Sequence, residues 1–262
     1  MAELATNNLT IGYGKQDVLS ELSLSIPESS LTCIIGPNGC GKSTMLKTIA
    51  RLLKPARGTA TLDGKVIHHE STKTIARQIA ILTQSPQTPE DLTVKELVSY
   101  GRAPYLKGFG QLQAKDWERI HWALDQTQLL NQADRKVSAL SGGQKQRVWI
   151  AMALAQDTEV LLLDEPTTFL DMAHQLEVLH VLEKLNQELG RTIVMVLHDL
   201  NHAAKFADYL IALRDGKIIK TGTPEEVMCP DTLREVFDIE ASIVTDPQTG
   251  RPTLLSYQLA EP

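Results

Sequence analysis

Cysteine is scarce in this 262-residue chain: Cys33, Cys40 and Cys229 are an odd number with no C-x-x-C spacing. That argues against a disulfide framework and a zinc module. A basic excess is missing too, since 26 Lys and Arg face 32 Asp and Glu for a formal charge of −6. No aromatic series interleaves with the cations, so no nucleic-acid partner is expected. No apolar run approaches the ~18–20 residues that span a bilayer, and the longest, VLLL and TIVMVL, suit buried strands. The chain is therefore expected not to cross a membrane itself. The segment MAELATNN has neither a basic n-region nor an apolar h-region, which predicts a cytosolic protein. Repeats, low-complexity tracts and linkers are also missing. Hydrophobic residues at 42% and charged residues at 22% match an ordinary globular protein. The length allows one large α/β domain or two small ones, and the motif layout favours one spanning 1–262.

What is present is led by GPNGCGKST at 36–44, which fits G-x-x-x-x-G-K-[ST] and lies between the apolar run LTCIIG and the helical pattern MLKTIARLL. The spacing predicts a strand, a glycine-rich turn and a helix start. Gly36, Pro37, Asn38, Gly39, Cys40 and Gly41 would form a nest around phosphate oxygens, lined by the backbone N–H groups of all but Pro37 and aided by the helix dipole. Lys42 is expected on the β/γ-phosphates, Ser43 on a magnesium ion and Thr44 on a further phosphate oxygen. Because Cys40 lies inside this loop, a thiol reagent is expected to block nucleotide binding, with MgATP protecting. Cys33 reads as core.

Along the chain, NLTIGYGKQDVLSELSLSIP alternates like an antiparallel hairpin around Gly12 and Gly14, and GTATLDGKVI repeats the pattern with Asp63-Gly64 at its turn. IAILTQ at 79–84 reads as a short buried strand. Residues from about 88 to 158 then carry helical periodicity, including Trp117, Ile120 and Leu124. From 159, strands alternate with helices: EVLLLDE, MAHQLEVLHVLEKLNQELG, TIVMVLHDL and NHAAKFAD, the pattern of a parallel sheet. YLIALRDGKIIK reads as a hairpin turning at Asp215-Gly216, and Thr223-Pro224-Glu225-Glu226 as a capped helix start. The tail SIVTDPQTGRPTLLSYQL fits either a final hairpin or an exposed appendage. The expected fold class is α/β: a P-loop NTPase with a mostly parallel sheet, an N-terminal antiparallel β subdomain, a helical insertion and a C-terminal extension from about 229 to 262.

LSGGQ at 140–144 supplies a second anion-binding helix N-terminus, with Ser141 at the N-cap before Gly142, Gly143 and Gln144. Asp164 and Glu165 end the strand VLLL, which puts them at the sheet's carboxyl edge beside the phosphate loop. The ordered set of GPNGCGKST, Gln84, LSGGQ, VLLLDEP, Leu170-Asp171 and His198 resembles the ATP-binding cassette proteins, from Tyr13 to about residue 228. The resemblance implies that Asp164 holds the magnesium shell through water and that Glu165 deprotonates the water attacking the γ-phosphate. It further implies that His198 contacts the γ-phosphate, that Gln84 coordinates magnesium or positions water, and that Tyr13 stacks on adenine. ATP and Mg2+ are thus the expected cofactors. LSGGQ would cap ATP bound to a second, antiparallel cassette, with Asp171 communicating across the interface, so one copy per chain implies a dimer, most simply a homodimer.

Within that family, YGRAPY at 100–105, WIAMALAQ, DEPTTFLDMAHQ and LHDLNHAAKFADYLIALRDGKI look most like ATPases of ferric siderophore importers, with haem and cobalamin importers next. These relatives often carry an aromatic residue before the proline and a histidine after it, where this chain has Ala103 and Tyr105. The resemblance implies separate membrane permease subunits, an indirect link to a substrate-binding protein, and a peripheral place on the cytoplasmic face of the cell membrane. The stretch around TPEDLTVKELVSYGRAPY would meet the permease. His68, His69, His121 and His202 lack ligand spacing and read as surface or packing residues rather than iron ligands. A soluble cassette ATPase is the competing class, but the coiled-coil or zinc insertions of DNA-repair members and the paired cassettes of translation factors are missing. A regulatory subunit without turnover is disfavoured by Lys42, Asp164, Glu165 and His198.

Overall fold

The computed structural model describes residues 3–13, 16–84, 91–106 and 110–261. β1 (Leu4–Tyr13) and β2 (Gln16–Ile26) pair antiparallel, with Tyr13 opposite Gln16 as the alternating pattern predicts. β3 (Leu31–Ile35) is buried at every position and leads into α1 (Lys42–Ile49). β4 (Arg57–Leu62) and β5 (Lys65–Val66) turn at Asp63-Gly64, before the short α2 (Thr72–Ile75) and β6 (Ile79–Leu82). The helical stretch follows as α3 (Val94–Ser99), α4 (Ala114–Gln126) and α5 (Gly142–Ala155). Thr93 starts α3 with a capping box, its N–H donating to Glu96 Oε2 at 2.8 Å. β7 (Val160–Asp164), α6 (Met172–Leu189), β8 (Thr192–Val196), α7 (Leu200–Phe206) and β9 (Tyr209–Arg214) then alternate, and β10 (Lys217–Gly222) folds back on β9. The chain continues through α8 (Pro224–Val227), α9 (Pro230–Phe237), β11 (Ile239–Thr245) and β12 (Pro252–Leu259).

The strands make an antiparallel sheet ordered β2-β1-β4-β5 and a larger sheet ordered β10-β9-β3-β8-β7-β6. In the larger sheet β9, β3, β8, β7 and β6 run parallel, and β10 is antiparallel at its edge. Side chains alternate across a strand, so a strand buried on both faces serves two cores. β7 does this: Leu161 and Leu163 join the helices α3 to α6 in one cluster, and Val160 and Leu162 join α1 and the antiparallel sheet in the other. The parallel sheet is thereby clamped between layers, which fixes the carboxyl ends of β3, β6, β7 and β8 side by side.

Several expectations are refined. β6 ends at Leu82 and β8 at Val196, so Gln84 and His198 lie two residues beyond their strands rather than at the last position. Of the two tail readings, the hairpin holds: β11 and β12 pair antiparallel. The Asn201 side chain stitches the hairpin to α7, accepting from Leu254 N–H at 2.7 Å and donating to Leu254 O at 3.2 Å. The predicted start of the helical insertion, at about 88, lies outside the described residues, as does Gly14. His68 packs its Nε2 2.9 Å from Leu53 O and His202 lies edge-on to Phe206, while His69 and His121 are exposed. Among the described residues no His, Cys, Asp and Glu cluster could hold a metal by geometry alone, and no helix is long and apolar enough to cross a membrane.

Candidate active site

The turn from β3 into α1 requires glycine. At Gly41, the N-cap of α1, φ is 106°, and an added Cβ would lie 2.4 Å from Leu19 Cδ2. The loop wraps an open pocket of about 150 Å3 lined by Asn38, Gly39, Lys42, Ser43, Thr44 and Glu165. Lys42 is buried, its ammonium donating to Gly36 O at 2.8 Å and to Pro37 O at 2.9 Å. Its charge therefore stays inside the loop that the sequence assigns to phosphate. Cys40 lies beneath the same loop, with Sγ 4.0 Å from Lys42 Nζ.

Parallel pairing brings the other strand ends to this loop. Ser43 Oγ donates to Asp164 Oδ1 at 2.7 Å. Asp164 Oδ2 is buried and makes no hydrogen bond among the described residues. Burial pushes the Asp164 carboxyl above its ordinary range, partly opposed by the Ser43 hydroxyl and the ammonium groups of Lys47 and Lys42. Glu165 follows with left-handed backbone, φ 55°. Its Oε1 pairs with His198 Nε2 at 2.7 Å, and its Oε2 accepts from Gln84 Nε2 at 2.5 Å and Thr168 Oγ1 at 2.9 Å. Burial alone would raise this carboxyl, but the donors from His198, Thr168 and Gln84 outweigh it and hold it below the usual range. Lys42, Ser43, Gln84, Asp164, Glu165 and His198 thus share one site. Tyr13 closes β1, but its side chain lies outside the described residues.

Ser141, Gly142, Gly143, Gln144 and Asp171 form a second cluster. Ser141 caps α5, its N–H donating to Gln144 Oε1 at 3.1 Å while its hydroxyl accepts from Gln144 N–H at 3.3 Å. Asp171 caps α6 by accepting from His174 N–H at 3.0 Å, and its Oδ1 lies 2.6 Å from His174 Nδ1. The His174 ring in turn packs on Gly143, where a Cβ would approach Cδ2 to 2.6 Å. No hydrogen bond among the described residues joins this cluster to the phosphate loop, and it is rimmed by Phe169, 90% exposed, and Met172, 77% exposed. Sequence reasoning missed two residues here, Thr168 and His174. Each lies three positions after an acidic residue at a turn or cap, a spacing that could have marked them.

Residues 19–168 match the ABC transporter family. The chain is 58% identical to the iron(3+)-hydroxamate import ATP-binding protein FhuC of Bacillus subtilis (strain 168), over 99% of this chain and 96% of that protein. It is 52% identical to the petrobactin import ATP-binding protein FpuD of Bacillus anthracis, over 97% and 93%. The fold superposes with a TM-score of 0.73 on a dimeric post-hydrolysis ATP-binding cassette bound to ADP and Pi, at 33% identity over 84% of this chain and 98% of that one. With the phosphate loop, the paired acidic strand end and the SGGQ helix cap all in place, the chain belongs to the ABC transporter family, as one of its ATP-hydrolysing subunits.

Proposed function

We propose that this ATPase drives import of iron(III)–siderophore complexes, as a homodimer on the cytoplasmic face of a cell membrane. Separate permease subunits would carry the cargo, which a substrate-binding protein delivers. The observation that carries the chemistry is the pairing of a buried Asp164 oxygen, with no hydrogen-bond partner among the described residues, and the neighbouring Glu165 carboxylate, hydrogen-bonded at both oxygens. The cargo reading is supported by the names of the relatives that are 58% and 52% identical. All of residues 1–262 serve one ATPase domain, with a helical subdomain over about 88–158 for the permease and an extension over about 229–262.

The donor set fits Mg2+: a hydroxyl, a carboxylate with a free oxygen and an amide, from Ser43, Asp164 and Gln84, are hard oxygen ligands. When bound, the ion neutralises charge developing on the phosphate oxygens. Lys42 exchanges the carbonyls of Gly36 and Pro37 for phosphate, Thr44 adds a contact, and the N–H groups of Gly36 and of Asn38 to Gly41 surround the anion. Tyr13 stacks on adenine. His198 turns to the γ-phosphate, and Glu165 takes a proton from the attacking water as the oxygen–phosphorus bond to ADP breaks. Ser141, Gly142 and Gly143, held by Gln144, donate to the γ-phosphate of ATP on the partner subunit, and Asp171 reports its loss across the interface.

The test is uptake of iron-labelled siderophores by cells carrying Glu165→Gln in this protein, with haem and cobalamin uptake in parallel. Loss of siderophore uptake alone is expected. Unchanged uptake of all three cargoes would overturn the importer reading and leave the ATPase.

A further inference from the structure

We propose that Thr168 is a positioning residue for hydrolysis, its hydroxyl fixing the Glu165 carboxylate from within the same turn. The inference rests on Glu165 as the base. Three side chains donate to that carboxylate, and they differ in how they are attached. Gln84 follows β6 and His198 follows β8, so each reaches Glu165 across strands. Thr168 belongs to the turn that Glu165 opens: its N–H donates to Glu165 O at 3.3 Å and its Oγ1 to Glu165 Oε2 at 2.9 Å. Leu170 N–H closes the next turn on Thr167 O at 3.3 Å, and Thr167 is buried. The tight turn through Pro166 and Thr167 is what brings the Thr168 hydroxyl back onto the Glu165 side chain.

The consequence is a division of labour between the two carboxylate oxygens. In the proposed function both Gln84 and His198 leave Glu165, one for the metal shell and one for the γ-phosphate. Without a third donor the glutamate would then rotate about a broad terminal torsion. Thr168 keeps Oε2, which leaves Oε1, the oxygen His198 vacates, to face water. In the step itself the water O–H bond breaks and its proton goes to Oε1. The water oxygen bonds to the γ-phosphorus, and the electron pair of the broken γ-phosphorus–oxygen bond stays on ADP. Thr168 touches none of the reacting atoms.

Thr168→Val keeps the branched shape and removes the donor, while Thr168→Ser keeps the donor. Measured on the purified chain, Thr168→Val is expected to lower kcat about tenfold with KM for ATP unchanged within about twofold, because an orienting contact acts on the transition state and not on substrate binding. Thr168→Ser is expected to restore kcat to within about threefold of the parent. Fluorescent ATP-analogue affinity should be equal in all three proteins. A Thr168→Val protein with parental kcat would overturn the inference, as would one whose KM and analogue affinity weaken in step with kcat, or a Thr168→Ser protein as slow as Thr168→Val. Glu165→Gln in the same assay separates the two readings. Parental turnover there sinks the base itself, whereas a slow Glu165→Gln beside a normal Thr168→Val sinks only the role of Thr168.

Discussion

At the scale of single residues, the three thiols are sorted by their surroundings. Cys33 is fully buried in the sheet, and burial pushes its thiol far up. Cys40 is only 4% exposed, and burial also raises its thiol despite nearby Lys42. Cys229, at the start of α9, is half-buried. Burial would raise it, but Thr232, whose Oγ1 is 3.1 Å from Sγ, and Lys220, whose Nζ is 3.6 Å away, outweigh that and lower it. The thiolate is the reactive form, so iodoacetamide near neutral pH is expected to label Cys229 first and spare ATPase activity. Labelling of Cys40 should be slow, and slower again with MgATP. Timed peptide mass mapping checks the order; Cys40 reacting first would refute it. The sequence-based expectation that a thiol reagent blocks nucleotide binding, with MgATP protecting, thus calls for long exposure, because the burial of Cys40 is invisible in GPNGCGKST. Lys42, Ser43, Asp164 and Glu165 were legible, since their chemistry is tied to a fixed spacing or a strand end. Thr168 was less so: its spacing of three from Glu165 hints at a turn contact, but nothing in DEPTT announces that its hydroxyl meets the carboxylate.

At the scale of elements, the helices of the insertion were legible from periodicity, but what locks them together was not. YGRAPY read as part of a partner surface; the structure buries Arg102 instead. Its Nε donates to Asp116 Oδ1 at 3.0 Å, its Nη1 to Ala155 O at 2.8 Å, and its guanidinium lies 3.9 Å from the Tyr105 ring centroid. The departure from the family pattern at Tyr105 therefore has a packing partner within this chain. Tyr100, in contrast, remains exposed. The ion pair joins the segment after α3 to α4 and α5, with side chains only 5% and 4% exposed. Breaking a buried pair leaves an uncompensated charge, so Asp116→Ala is expected to destabilise by about 3–5 kcal/mol. Burial alone would raise the Asp116 carboxyl, but the Gln113 N–H and Arg102 outweigh it and depress it. A depressed carboxylate contributes stability above its unfolded pKa and loses it as pH falls through the folded value. The gap in urea midpoint between parent and Asp116→Ala should therefore hold from neutrality down to about pH 5 and narrow only below it, as the depressed carboxyl is protonated. A gap independent of pH would rule out the charge as its source.

At the scale of the whole molecule, the alternation of strands and helices announced a parallel sheet, but not its order. β3 lies between β8 and β9, far away in sequence, because crossovers carry each helix over a sheet face before the next strand docks. That order gathers the phosphate loop, Gln84, Asp164, Glu165 and His198 at one edge and leaves Ser141, Gly142 and Asp171 in a separate cluster that contacts no part of it by hydrogen bonds among the described residues. In the proposed function a second copy of the chain brings these two clusters together around nucleotide. Gly142 offers a clean way to ask, because an added Cβ there would meet nothing within 4 Å and φ is not left-handed. Gly142→Asp should leave the fold intact while setting a carboxylate where γ-phosphate would dock, a like-charge clash inside a dry interface. In a Glu165→Gln background, which preserves bound ATP, light scattering is expected to show MgATP-dependent dimers. Adding Gly142→Asp should return the protein to monomers at unchanged thermal stability and unchanged fluorescent ATP-analogue binding. Dimers that survive Gly142→Asp would mean that the SGGQ helix cap lies outside the nucleotide-dependent interface.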